Sequence, residues 1–292
     1  TKRPSPVYYS DVPKPGFTTP VAAGMYLRND WEDTMMKMIA DYPMGPSPKY
    51  VYSDVDFILL GKIVEQVSGM PLDEYTRKTF YAPLGMATTG FKPFQHFGLE
   101  RTAPTEEDNY FRRQLMHGYV HDESAAIFGN VSGNAGLFSN AYDLSLLYQM
   151  LLNGGELNGQ HFLKKETIDL FNQYHSSISR RGYGFDKPEK DNATRKEPYP
   201  AKSVSPLTIG HTGYTGTAVW ADPQYKIVFI FLSNRIKNIY LLKKFYNLSF
   251  YYWLLLFFLS LWVISVFGNY GDIEQWNNVK QISLWPWAAL SI

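Results

Sequence analysis

The apolar positions of this chain change period several times, and each change marks an element. Between Ser53 and Gly69, the residues Val55, Ile58, Leu59, Ile63 and Val67 recur at helical intervals and fall on one face. Ser53 or Asp54 is placed to cap the first turn of that helix, and Gly69 to stop it. The same reading predicts a short helix over 31–40, capped by Asp30 and ended by Pro43, Gly45, Pro46 and Pro48. It predicts another from an Asp73 cap to Phe80, broken near Pro83 and Gly85. Further on, Leu144, Leu147, Tyr148 and Leu151 share a side over 141–153, with Gly154 and Gly155 as the stop, and Ile168, Leu170 and Phe171 support a helix over 166–174.

Elsewhere the helical period is missing. Residues 1–24 are rich in Pro, Gly, Tyr and Thr and read as irregular loop, while 86–135 is weakly periodic and reads as turns with short strands. The segment 178–205 is charged and contains prolines. Beyond it, 207–220 and 226–233 are β-rich runs separated by Ala221, Asp222, Pro223 and Gln224, which predicts two adjacent antiparallel strands around a turn.

Charge narrows the function. Among 292 residues, 28 Lys and Arg nearly balance 27 Asp and Glu, so no global field recruits nucleic acid. The absence of cysteine excludes disulfides, thiolate catalysis and Cys-ligated zinc. The N-terminus has neither an initiator Met nor an apolar signal core, and the chain reads as a fragment.

The tail departs from the rest. Residues 245–271 carry no charge and 250–267 are almost wholly apolar, which makes 248–268 a transmembrane candidate. Lys237, Lys243 and Lys244 precede the span and Asp272 and Glu274 follow it, so the positive-inside rule would place residues 1–235 in the cytoplasm. A change of reading frame near residue 236 is the competing reading, and five of the seven tryptophans lying after residue 250 support it.

Two stretches carry candidate chemistry. Tyr52 lies just outside the N-terminus of the helix that begins near Asp54, where the positive end of the dipole favours an anion, so its phenol is a candidate base. In 209–217, His211 supplies a titratable donor and Thr212 a hydroxyl among three glycines, a composition that lets another backbone or a ligand approach closely. Each alone has a bland alternative, a packed loop tyrosine and a bulged strand with a solvated histidine. His117 and His121 share spacing with metal-binding pairs, but Gly118, Tyr119 and Val120 do not favour a helix between them and no third ligand is fixed, so no metal is expected. Arg112 with Arg113, and Arg180 with Arg181, read as solvated pairs.

Taken together, these stretches resemble a known superfamily. Tyr52-Ser53-Asp54 before a helix, Gly69-Met70-Pro71-Leu72, Pro83-Leu84-Gly85-Met86, Val120-His121-Asp122-Glu123, Gly133-Asn134-Ala135-Gly136-Leu137-Phe138-Ser139, His211-Thr212-Gly213 and Phe231-Leu232-Ser233-Asn234-Arg235 occur in an order similar to that of serine β-lactamases and penicillin-binding proteins, in the class C and esterase-like branch. Within it the chain resembles the module that follows a family 3 glycoside hydrolase domain in Bacteroidetes-type proteins, so a fused hydrolase domain upstream is an expectation.

The resemblance covers about residues 7–235 and implies an α/β (α+β) fold: an antiparallel sheet flanked by helices, with a mainly helical lobe beside it and the N-terminal part incomplete. It also implies an acyl-enzyme hydrolase of amide or ester bonds, exported to the periplasm or cell envelope, acting on a small molecule or peptidoglycan-type peptide without a cofactor. By that likeness Tyr52 is the general base, Asp54 fills the third position of the turn, and His211 with Thr212 and Gly213 contacts substrate. The backbone N–H of Tyr214 would be one oxyanion donor. The departures are the absence of any Ser-x-x-Lys motif in residues 1–292, Asp54 in place of the usual Asn, and His211 in place of Lys. They leave a second expectation open, a non-catalytic module that binds cell-wall peptide or sugar. Residues 236–292 read as a separate hydrophobic tail that could contact a membrane.

Overall fold

The computed structural model describes residues 5–43, 45 and 50–234; the apolar tail and its transmembrane candidate lie outside the described residues. Among the described residues, no helix is long and apolar enough to cross a membrane.

The N-terminal stretch is not the irregular loop expected of it. β1 (Tyr9–Ser10), β2 (Thr19–Ala22) and β3 (Met25–Leu27) form an antiparallel sheet in the order β1-β3-β2. Val21, Ala22, Met25 and Leu27 are buried, and Gly24 at φ 63° makes the turn between them. Strands of two to four residues are too short for their alternation to register in sequence.

α1 (Trp31–Ala40) forms where expected, but Asp30 does not cap it; its carboxylate instead accepts from Arg28 Nε at 2.5 Å. α2 (Asp54–Ser68) begins at Ser53, whose Oγ accepts from the Val55 N–H at 3.2 Å, and ends at Gly69 with φ 67°. Ser53 is therefore the cap and Asp54 is left with its carboxylate outside the cap. The face that packs is that of Ile58 and Gly61, while Val55, Leu59, Ile63 and Val67 remain exposed.

α3 (Leu72–Thr76) runs through a π-helical turn, Arg77–Tyr81, into α4 (Ala82–Leu84). Its N-cap is Pro71, and Asp73 pairs with Lys92 at 2.6 Å. Pro83 does not interrupt this path; Gly85 at φ 79° ends it.

The weakly periodic region folds into a hairpin of β4 (Pro104–Asp108) and β5 (Gln114–His117), followed by α5 (Glu123–Ile127) capped by Asp122. α6 (Ala141–Leu152) is capped by Asn140, whose side chain accepts from the Asp143 N–H at 3.0 Å. A two-residue hairpin of β6 (Glu156–Leu157) and β7 (Gln160–His161) leads to α7 (Lys165–Phe171), which stops short of the expected residue 174.

The last sheet holds β8 (Ile209–Gly213), β9 (Thr217–Asp222) and β10 (Ile227–Leu232), antiparallel and ordered β10-β9-β8. The run 207–220 is therefore two strands and not one, folded at Tyr214–Thr215–Gly216 with Gly216 at φ 98°. α6 packs on this sheet, burying Leu144, Tyr148 and Leu151 against Ile209, Val219 and Ala221. A second core gathers Val21, Leu27, Met116, Val120, Ala125 and Ala126. The architecture is α/β with antiparallel sheets and helices packed on them.

Candidate active site

The start of α2, the β8 strand and the loop after α7 enclose a cleft of about 800 Å³. Tyr52, Asp54, His211, Thr212, Gly213 and Tyr214, six residues separated by up to 162 positions in sequence, all line it. The capped first turn of α2 fixes Tyr52 and Asp54 on one wall. The β8 ladder to β9, with His211 opposite Val219 and Gly213 opposite Thr217, fixes His211, Thr212 and Gly213, and Tyr214 follows in the turn between the two strands.

The loop 178–205 supplies residues that the sequence pattern did not mark. Asp186 exchanges backbone hydrogen bonds with Gly210 (2.8 and 3.0 Å), which attaches this loop to the edge of β8. Arg180 then grips the buried Asp186 carboxylate with two bonds of 2.8 and 2.9 Å, and Tyr199 donates its hydroxyl to the same carboxylate at 2.8 Å. The Arg180 and Arg181 pair is thus not solvated as expected: Asp186 neutralises Arg180 and turns Arg181 toward the cleft. Arg181 Nη1 donates to His211 Nε2 at 2.8 Å, and its guanidinium carbon lies 5.0 Å from the centre of the Tyr52 ring.

Those bonds define the state of His211. Nε2 faces an N–H donor and must accept, so the proton sits on Nδ1, which donates to the Thr212 carbonyl at 2.7 Å. Burial pushes the imidazole below its ordinary range; the Thr212 carbonyl opposes this and the Arg181 charge adds to it. For Tyr52, partial burial raises the phenol, the Asp54 carboxylate raises it further and Arg181 pulls it down. Burial, then the Asp122 carboxylate, raises Asp54 in turn.

His121, Asp122 and Asn134 also line the cleft. His121 stacks on Tyr214 with ring centres 4.7 Å apart and planes 7° from parallel. Burial pushes this imidazole down to about 4, with Asp122 opposing and Arg112 assisting. Arg112 was expected to be solvated beside Arg113, yet it is 4% exposed and only Arg113 faces water. Its guanidinium bonds the Asp108 carboxylate at 2.7 Å, the Val120 carbonyl at 2.7 Å and the His121 carbonyl, and so anchors the segment that presents His121. His117 does not join His121; its Nε2 lies 2.6 Å from the Thr102 carbonyl.

A mixed α/β architecture with this cleft at the edge of an antiparallel sheet is that of the β-lactamase and penicillin-binding-protein class. The chain belongs to the beta-lactamase family, whose model matches residues 13–239. It is thereby a member of a family of serine hydrolases. A relative from Escherichia coli K12, named "Putative D-alanyl-D-alanine carboxypeptidase", is 37% identical over 235 residues, covering 76% of this chain and 53% of the relative. A protein of the same name from Salmonella enteritidis PT4 is 35% identical over 218 residues, covering 70% of this chain and 50% of its own length. The chain spans about half the length of these curated relatives. A penicillin-binding protein homologue from Caulobacter crescentus superposes with a TM-score of 0.49 at 20% identity, over 70% of this chain and 58% of its own.

Proposed function

We propose that this cleft is the proton-transfer half of a serine hydrolase site that cleaves amide or ester bonds through an acyl-enzyme, with the terminal peptide of peptidoglycan as its substrate class. The observation that carries this reading is the convergence of Tyr52, His211 and Thr212 on one cleft from two elements distant in sequence. The relatives' printed name supports the peptide substrate, and the envelope as its location.

In this reading the nucleophilic serine belongs to a Ser-x-x-Lys motif, which residues 1–292 do not contain. Tyr52 as phenolate takes the serine proton as the serine oxygen attacks the carbonyl, and returns it to the leaving amine as the C–N bond breaks. The backbone N–H of Tyr214 receives the negative charge that develops on the carbonyl oxygen. The Thr212 hydroxyl and the Gly213 backbone hold the carboxylate end of the peptide beside the positive charge of Arg181, while His211, both of whose ring nitrogens are engaged, lines that end of the cleft. Residues 1–235 form the hydrolase domain and 236–292 a separate apolar segment.

A second reading, peptide binding without turnover, is favoured by Asp54, whose carboxylate raises the Tyr52 phenol and so opposes the base role. Labelling with a fluorescent penicillin separates the two, using the complete polypeptide that the gene encodes and its Tyr52→Phe variant. The hydrolase reading expects the parent to be acylated, and about 10²–10⁴-fold more slowly in the variant. A parent that binds peptide but takes up no label supports the binding module instead.

A further inference from the structure

Arg181 reaches two titratable groups of the cleft, His211 and Tyr52. Its Nη1 donates to His211 Nε2 at 2.8 Å and its guanidinium lies over the Tyr52 ring at 5.0 Å, while its other nitrogen reaches Asp186 only at 3.9 Å. The neighbouring Arg180 takes both oxygens of Asp186 at 2.8 and 2.9 Å, so that carboxylate does not draw Arg181 away. The loop that carries it is fixed at its base: the Arg181 N–H bonds Ser179 Oγ at 3.2 Å, and Asp186 is bridged to Gly210 on β8. Arg181 therefore occupies a set place between a strand residue and the residue that precedes the α2 cap, and a planar guanidinium can serve an imidazole edge and an aromatic face together.

We propose that Arg181 is a positioning residue that acts through two partners, fixing His211 as the neutral, Nδ1-protonated tautomer and holding a positive charge against the Tyr52 ring. The first effect follows from donor geometry: an arginine cannot accept, so Nε2 beside it must present a lone pair, in concert with the Thr212 carbonyl, which can only accept from Nδ1. The second supplies a fixed cation at the phenol, which otherwise faces Asp54, Tyr50 and Asp186, all of which disfavour its ionised form. His211 is also faced by Arg180 and Asp186, whose effects oppose one another. The importance of the Tyr52 charge for turnover rests on the proposed function above; the tautomer assignment does not.

The test is NMR on the whole 292-residue chain, in mild detergent, with ¹⁵N-labelled histidine for His211 and ring-¹³C-labelled tyrosine for Tyr52, the latter assigned with Tyr52→Phe. His211→Asn assigns the resonance among the six histidines. In the parent, His211 Nε2 is expected at the shift of an unprotonated acceptor and Nδ1 at that of a protonated nitrogen. Arg181→Gln should bring the Nε2-protonated tautomer into the spectrum and shift the titration midpoints of His211 and Tyr52 upward. Arg181→Lys keeps a charge and a donor that cannot accept, without the planar fork, and should stay nearer the parent than Arg181→Gln in both the His211 tautomer and the Tyr52 midpoint. A merely structural role would alter the amide spectrum or the melting temperature without changing the tautomer. The same tautomer and the same midpoints in Arg181→Gln and parent would overturn the proposal. So would unchanged nitrogen shifts alongside weakened binding of a peptide carboxylate, which would make Arg181 a substrate anchor instead. Loss of penicillin labelling in Tyr52→Phe bears on the hydrolase reading alone, so failure of either idea can be told from failure of the other.

Discussion

Asp108 and Arg112 show how far a single buried pair reaches. Burial alone would push the Asp108 carboxyl up, but the Arg112 side chain and the backbone N–H groups of Arg112, Phe111 and Tyr110 outweigh it and hold it at about 2, against an ordinary value of 3.8. A folded pKa below the unfolded one stabilises above the unfolded value, and that stability is lost as the pH falls from about 4 to about 2. Its size is about 2 kcal/mol. Urea unfolding of the parent should therefore weaken across this window more than that of Asp108→Asn, which leaves the buried Arg112 guanidinium with only the longer Glu106 contact of 3.4 Å as its ion pair and costs less than the about 3–5 kcal/mol of a fully orphaned buried charge at neutral pH. Equal pH slopes in the two proteins would remove this account. Because the same guanidinium holds the carbonyls of Val120 and His121, the variant should also disturb the stacking of His121 on Tyr214.

At the scale of elements, the closest approach near the site is between α2 and the 132–134 segment. A Cβ on Gly133 would lie 2.0 Å from the Phe57 carbonyl oxygen, whereas one on Gly61 would meet Gly133 N at 3.1 Å. Backbone atoms cannot yield as a flexible side chain can, so Gly133→Ala should lose about 2–3 kcal/mol or more in chemical denaturation and Gly61→Ala distinctly less. Similar losses for both would mean that the segment is free to shift away from α2. The contact also sets the distance between Tyr52, just before α2, and Asn134, one residue after Gly133, so the element pair carries the cleft.

Period and stop signals explain which elements could be read from the chain. α2 and α6 were legible from helically spaced apolar residues stopped by Gly69 and by Gly154 and Gly155, with Ser53 read as a cap of α2, whereas Asn140, which caps α6, was not read. β1 to β3 were not, since strands of two to four residues show no alternation. The turn at Tyr214–Thr215–Gly216 escaped notice because the β-rich run continues through it without a proline or asparagine. Of the two expectations for the glycines of 209–217, close approach of another backbone or of a ligand, Gly210 meets the first: a Cβ there would lie 2.1 Å from the Val219 carbonyl and 2.7 Å from the Trp220 ring, both on β9. Arg180, Arg181, Asp186 and Tyr199 were missed as site residues because their places depend on the bridge of Asp186 to Gly210, a non-local pairing that no local pattern reports.

Across the whole molecule, apolar surface is distributed unevenly. β10 alternates so that Val228, Ile230 and Leu232 join the core, while Ile227, Phe229 and Phe231 point outward with the two phenylalanines each 53% exposed. β10 is also an outer strand of its sheet. On α2, Val55, Leu59, Leu60, Ile63 and Val67 are exposed as well, Val67 at 83%. An outer strand with unpaired backbone groups and aromatic side chains on one face is a template for association, and clusters of this kind are rare on soluble monomers. The 292-residue chain should therefore bind a hydrophobic fluorescent dye in its native state and self-associate at micromolar concentration. Phe229→Thr with Phe231→Thr keeps β propensity and removes the aromatic surface. That double variant should lower dye binding and light scattering while leaving the near-ultraviolet signal of the core intact. The comparison is between parent and variant at equal concentration, both carrying the same residues beyond 234. A parent that sediments as a monodisperse monomer and melts cooperatively, with dye binding no different from that of the variant, would show that these faces are covered in solution.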